Sequence, residues 1–420
     1  MQRPVVHIVG AGFSGLAAAV SLAADQTCAV VVHESAMQAG GRRRSYLDAA
    51  ANSMIDNGNY FLLSGDAAAS AFADSIGARD QFEVLTESAL PFADMASGQR
   101  WSLRPNEGRL PWWLLDSRRR LPHSRALDYW PVGRLLRVNP TKALGDVLEC
   151  SGPLYERVLR PLLLAALNTD PKLAAAGLAA APLRGLLSTG GRGTHLCLPR
   201  NGLSRAMVEP ALTHLHRCAV QVRFGRRLQS LELAGTRIER LEFEHDSIVL
   251  SPRDQVILAV PAFAAAALAP TITTPTQFNA TLTAHFNIAP PPNQPRALGV
   301  VNGAINWLFA WPDRLSATIN HANELMESPR EQLAAQIWRE VAVLTGHADA
   351  MPSWRIIRQR RATFSATPQQ DARRPGVETS SNNLFLAGAY VGRGTPTGLE
   401  STIRSGQAAA RAVIERIAAG

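Results

Sequence analysis

Lysine is almost missing from this chain: Lys142 and Lys172 are the only two among 43 basic residues. Against 34 acidic residues they leave a formal charge of +9 on 420 residues, carried nearly entirely by arginine. Such a balance suits an anionic surface. No nucleic-acid-binding module and no interleaving of aromatic with basic residues accompanies it, so nucleic acid is not the expected partner. Cysteine is scarce too. Cys28, Cys150, Cys197 and Cys218 lie far apart. No two fall at metal-ligand or redox spacing, so a metal site is not expected and the four read as reduced core thiols of a cytosolic protein. Uncharged apolar runs stay below the roughly 18 residues that a membrane span requires. The short run after Arg3 meets Gly10 and Gly12 at once, unlike a signal peptide.

The remainder is an ordinary globular composition, 46% hydrophobic and 18% charged, in a chain long enough for two domains. Residues 4–10 read as a buried parallel strand, 14–24 as an alanine-rich helix and 28–34 as a second buried strand. This is the opening of a doubly wound α/β sheet. Between the first strand and the helix stands Gly10-Ala11-Gly12-Phe13-Ser14-Gly15. Gly10 permits the tight turn, Gly12 lets a pyrophosphate approach the backbone, and Gly15 lets helix and strand pack closely. The helix N-terminus, with Phe13 and Ser14, offers amide donors and the positive dipole end to phosphate. Glu34, followed by Ser35, ends the second strand where an acid can hydrogen-bond a ribose.

Further on, helices are expected at 144–150, 154–167, 171–187, 207–218, 330–345 and 399–418. Strands are expected at 220–224, 226–233, 237–243, 255–260, 281–288, 304–311 and 384–389. The chain therefore leaves the dinucleotide domain and returns to it. Residues 1–85, 195–260 and 375–420 form that domain, and 86–194 with 261–374 form an inserted substrate-binding, membrane-facing domain of mixed sheet and helix. Strands 4–10 and 384–389 are expected to meet in one sheet.

FAD is indicated by the surroundings of these motifs. Gly40-Gly41-Arg42 follows Glu34, bringing a glycine loop and a cation to the pyrophosphate. A buried strand ends at Gly388, and Gly398-Leu399-Glu400-Ser401 opens the last helix. Together these resemble the amine oxidase and phytoene desaturase flavoproteins. Three further segments resemble the hydroxysqualene dehydroxylases: Asp56-Asn57-Gly58-Asn59-Tyr60-Phe61, Leu198-Pro199-Arg200-Asn201-Gly202, and the run from Trp354 to Pro368. That resemblance covers nearly the whole chain. It implies FAD, held also by Asn57, Gly58 and Leu228, and an enzyme that reduces hydroxysqualene, or a similar long isoprenoid, to squalene on the hopanoid route. The FAD is expected to be noncovalent, because no cysteine or histidine stands beside the C-terminal glycine motif to tether it. The electron donor stays unidentified. Where the family has Asp after the last Ala-Gly, this chain has Ala389 and then Tyr390; where it has Gln-His, Asn59-Tyr60. Alternatives remain: a desaturase or amine oxidase running from substrate to flavin, or a flavin-binding scaffold without turnover.

For a proton donor, Tyr60 is the first candidate and Glu400 the second. For Tyr60 the commoner alternative is a core aromatic, and for Glu400 the equal alternative is a first-turn acid that stabilises its helix. Asp56 reads as a loop cap, His195 and His285 as structural. Leu110-Pro111-Trp112-Trp113-Leu114-Leu115, followed by Arg118-Arg119-Arg120, is either a loop that dips into an anionic membrane or part of the inserted core. The first reading places the protein in the cytoplasm, peripheral on the inner face of a bacterial membrane.

Overall fold

Residues 3–48, 53–86, 88–347 and 350–419 are described by a computed structural model. Val5–Val9 and Ala29–His33 are runs of β-branched residues, and such runs favour strands covered on both faces. They lie inside a five-stranded parallel sheet in the order Gln221–Arg223, Ala29–His33, Val5–Val9, Gln255–Leu258, Leu384–Leu386. The first and last of the expected strands thus share a sheet but do not touch. Gln255–Leu258 runs between them and pairs with both, because its four buried residues also need neighbours on either side.

The helix Phe13–Asp25 packs on this sheet and against the final helix, Leu399–Ala419. Small residues set that approach. A Cβ on Gly406 would stand 2.1 Å from the carbonyl oxygen of Ser14, so only glycine allows the two helices to lie this close.

A second sheet has seven strands, in the order Trp354–Phe364, Phe278–Phe286, Leu315–Ile319, Trp307–Ala310, Ala297–Val301, Leu90–Asp94, Arg100–Leu103. All neighbours are antiparallel except Ala297–Val301 with Leu90–Asp94. Leu282, Ala284 and Phe286 pack with Ile337 and Val341 of the helix Arg330–Thr345. Strand alternation turns Thr281, Thr283 and His285 to the opposite face.

Several expectations change. Residues 144–150 form only the turn Leu144–Asp146, since too few apolar residues recur there to sustain a helix face. The helix expected from 171 begins later, at Ala176–Thr189, after the turn Pro171–Leu173. Cys218 is exposed rather than a core thiol.

His7 and His33 meet inside the parallel sheet, Nδ1 to Nε2 at 3.2 Å, with the rings stacked. Between two neutral rings stand one N–H and one lone pair; a proton added to the accepting ring removes that acceptor. Burial holds both imidazoles well below the usual 6.5, and burial also holds His285 down, at about 4. At these three histidines the unfolded chain therefore binds more protons than the folded one between pH 6.5 and 4, while burial of Asp66, raised to about 6, works against it below that pH. The histidine contribution to stability is fully present above 6.5 and declines as the pH falls through that window, by on the order of a few kcal/mol. Denaturant melts between pH 8 and 4 should show this slope, and His33→Gln should flatten part of it. A flat parent profile would contradict the assignment.

Candidate functional site

Two loops face each other at the C-terminal edge of the parallel sheet. The first carries the three glycines. Gly10 holds φ +109, and a Cβ there would meet the carbonyl oxygen of Ala259 at 2.5 Å. At Gly15 a Cβ would lie 1.9 Å from the carbonyl oxygen of Gly10, the close helix–strand contact expected of it. Gly12 differs: a Cβ there would have nothing nearer than Gly41 Cα at 4.0 Å. The second loop, with Gly40 at φ +103 and Gly41 at φ +60, is tied to the first by a hydrogen bond from Gly40 N to Ala11 O of 2.9 Å. Gly12 caps the helix without a side chain, and no acid occupies the first turn at Phe13, Ser14 and Gly15, so no side chain of the helix itself offsets its positive end.

Glu34 is buried, and its carboxylate braces this loop. It accepts from Ala11 N at 2.7 Å, Ala36 N at 2.8 Å and Ser35 Oγ at 3.2 Å. Backbone bonds from Glu34 N to Arg223 O and from Arg226 N to Glu34 O fix the strand end. Leu228, two residues on, is a buried member of the cluster that contains Val9 and Phe243.

The loop then continues into a junction between the two sheets. The carbonyl of Arg42 accepts three side-chain donors: Asn57 Nδ2 at 2.6 Å, Gln359 Nε2 at 3.1 Å and Tyr60 Oη at 3.2 Å. The single proton of Tyr60 is shared between this carbonyl and Asn57 Oδ1 at 2.9 Å, and its oxygen accepts from Gln359 at 3.3 Å. Gly58 lies under the phenol; a Cβ on it would sit 2.9 Å from the hydroxyl. The ring of Tyr60 packs against the core of the nucleotide half, while burial pushes its hydroxyl up to about 12. It therefore stays protonated across the neutral range. Arg42 Nη1 reaches the carbonyls of Arg361 and Ala362, and Arg43 Nη1 reaches Thr402 Oγ1 at 3.2 Å. Burial draws both guanidiniums below their usual values, Arg42 to about 10. Arg42 is nonetheless accessible to solvent. A group crowded by protein yet open to solvent lies on a cleft wall. Among the described residues neither arginine has a carboxylate at ion-pair distance, so this wall favours an anion.

At the opposite side stands the last strand. Gly388 has no room for a side chain: at φ +153, a Cβ would meet the Tyr390 ring at 2.8 Å. Its N–H donates to Ser405 Oγ at 3.0 Å. Gly398 and Ser401 close the turn before the final helix, with Gly398 N donating to Ser401 Oγ at 2.9 Å, and Leu399 is buried.

Glu400 does not face this cleft. Its carboxylate accepts from Ala68 N at 3.2 Å and Ala69 N at 2.8 Å, capping the helix Ala67–Ser75, and pairs with Arg404. The acid that sequence placed near the reacting ring is a latch between two helices. Asp56 accepts from Ser45 and from Leu203 N, and receives no solvent. His285 Nε2 sits 2.9 Å from Asp56 O. His195 lines a separate cleft of about 480 Å³, together with Trp112 and Arg119, well removed from the glycine loops.

Arg43, Gln359 and Tyr390 join the site without having been expected there. Arg43 had a signal, standing beside Arg42. Gln359 lies within the run from Trp354 to Pro368 that carries the family resemblance, but nothing local reveals its partner.

The cradle fits a dinucleotide: open space over Gly12, a helix end that no side chain of its own helix offsets, two cations without acids, and a buried Tyr390 hydroxyl with no partner among the described residues. Comparison with known proteins agrees. The family described as flavin containing amine oxidoreductase matches residues 13–414. A hydroxysqualene dehydroxylase of Rhodopseudomonas palustris is 46% identical over 97% of this chain and 98% of its own. That of Sinorhizobium fredii is 44% identical over 96% and 97%. Among solved structures, putrescine oxidase bound to putrescine aligns with a TM-score of 0.70 at 14% identity, covering 99% of both chains. Cyclohexylamine oxidase from Brevibacterium oxydans aligns at 0.72 and 16%, covering 99% of this chain and 100% of its own. At these identities the structural likeness speaks for the fold alone.

Proposed function

Since this chain belongs to the hydroxysqualene dehydroxylase family, within the flavin containing amine oxidoreductases, we propose that it replaces the hydroxyl of hydroxysqualene by hydrogen, giving squalene and water. FAD is the cofactor. When bound in its reduced form, FAD would supply the hydride, and a two-electron donor outside the chain would restore it. The carbon–oxygen bond of an allylic alcohol breaks once its oxygen is protonated, so the chain must hold a proton where the hydroxyl arrives. Tyr60 is that donor. Its hydroxyl, protonated at neutral pH as any phenol is, lies at the junction of both sheets and is oriented by Asn57 and Gln359. This arrangement is the observation that carries the reading. A substrate hydroxyl competes with Asn57 Oδ1 and the Arg42 carbonyl for the single proton. Anaerobic incubation with reduced FAD and hydroxysqualene should yield squalene by mass. Its absence, with bleaching of oxidised flavin by a saturated isoprenoid, would favour a desaturase.

The substrate would live in a bilayer, and we assign the chain to the cytoplasmic face of a bacterial membrane as a peripheral protein, with anionic lipid rather than nucleic acid as its partner. Support comes from how the tryptophan pair divides. Trp113 is buried against Tyr129, whereas Trp112 is 51% exposed. Around it Leu110, Leu115, Leu127 and Trp130 are 72–80% exposed. Leu110 precedes the turn Trp112–Leu115, which carries Leu115 and packs on the turn Ala126–Tyr129 with Leu127; Trp130 opens the helix Trp130–Arg134. Residues 109–137 carry seven arginines and two aspartates. An exposed apolar patch rimmed by cations suits a negatively charged bilayer. No helix among the described residues is long and apolar enough to cross a membrane. Trp112→Ser with Leu127→Ser should reduce cosedimentation with anionic vesicles several-fold at unchanged flavin content. Unchanged sedimentation would remove the assignment. Trp113 is a core residue and is not part of the test.

A further inference from the structure

We infer that the hydroxyl of Tyr390 is a hydrogen-bond donor to bound FAD, fixed in place by Arg374. The inference rests on FAD being the cofactor and goes beyond it, to a residue that the glycine motifs do not include.

Tyr390 is 3% exposed, and its hydroxyl has no hydrogen-bond partner among the described residues. A hydroxyl left in that state is destabilising, so natural interiors supply it with a partner. The ring lies over Gly388, at the point where the last strand of the nucleotide sheet ends. Arg42, the cation of the facing loop, is its charged neighbour. The hydroxyl thus stands between two segments that both border the cleft.

Its backbone cannot move aside. Arg374 is 2% exposed, and its guanidinium holds the loop by the carbonyls of Ala389 at 3.2 Å, Tyr390 at 3.3 Å, Val391 at 3.4 Å and Thr395 at 2.7 Å. Asp371 Oδ1 receives the same guanidinium at 2.9 Å and balances its charge. Four carbonyls gathered by one buried cation make a rigid frame for the ring. A rigidly held donor without an acceptor in the chain is what an acceptor-rich ligand needs.

Tyr155 also has a buried hydroxyl without a partner. It sits in the helical turn Tyr155–Leu159, remote from both glycine loops, with Cys150 as its neighbour. Position at the cofactor cradle, and not the lone hydroxyl itself, singles out Tyr390.

The test is Tyr390→Phe, titrated with FAD as apoprotein beside the parent and followed by flavin fluorescence. Loss of one hydrogen bond to the dinucleotide should raise the Kd roughly ten-fold or more. The apoprotein should melt at the parent's temperature or above it, because the variant no longer buries an unpartnered hydroxyl. Equal affinity within two-fold would overturn the inference. So would a lower apoprotein melting temperature, which would make Tyr390 a packing residue. Failure of the parent itself to take up FAD would remove the cofactor assignment as well, and is read in the same titration.

Discussion

Tyr60→Phe should lower turnover of hydroxysqualene roughly 10²–10⁴-fold, the range for loss of a positioned general acid. Flavin content should equal that of the parent, because the ring stays packed on the nucleotide core and only the hydroxyl is removed. The effect should persist across neutral pH. The phenol is pushed up to about 12, so no ionisation of this group intervenes below that value. Gln359→Leu should give a smaller loss, since it removes one hydrogen bond to the phenol and one to the Arg42 carbonyl but leaves the proton in place. Turnover of Tyr60→Phe within a few-fold of the parent, measured as squalene formed per bound flavin, would exclude the residue as donor.

Gly12→Val should leave a folded protein with almost no flavin. The backbone at Gly12 has φ −75 and ψ 175, which a β-branched residue adopts freely. Its side chain would enter the open space between the two loops, where the nearest atom to a Cβ is 4.0 Å away. Melting of the apoprotein should fall by only a few degrees, reflecting about 1 kcal/mol for a poorer helix cap. The visible absorbance of oxidised flavin should all but vanish. Gly15→Ala makes the contrast. Its Cβ would lie 1.9 Å from a backbone oxygen, and that variant should fail to accumulate as folded protein at all. Flavin retained at parental levels by Gly12→Val would show that the loops do not enclose the dinucleotide.

The nucleotide half was legible in the sequence because its determinants are local. Three glycines, a β-branched strand before them and an alanine-rich helix after them lie within 25 residues. The long amphipathic stretch Arg330–Thr345 was legible for the same reason. Legibility fails where function depends on a distant partner. The first-turn position of Glu400 is visible in sequence, but the amides it meets are those of Ala68 and Ala69, more than 300 residues earlier. Helix geometry says which face a side chain occupies, not what lies opposite. Trp112 and Trp113 were one motif as sequence. In three dimensions a 3₁₀ turn sends one to solvent and the other to Tyr129, and no hydrophobic periodicity separates neighbours in so short an element. Gln359 and Tyr390 belong to the site only through strand pairing and a buried guanidinium, neither of which leaves a local trace.

The close contact of Gly406 with Ser14 has a consequence for how the protein is made. Its glycine loop is packed by a helix that lies far along the chain from it, and Leu384–Leu386 completes the sheet only shortly before that helix. At 5–20 residues per second, synthesis of the stretch between the first helix and this one takes roughly 20 to 75 s. For nearly all of that time the first helix has an apolar face with no lid. Nascent chains of this protein should therefore be strong clients of holdase chaperones, and loss of the final helix should be read by the cell as loss of the beginning.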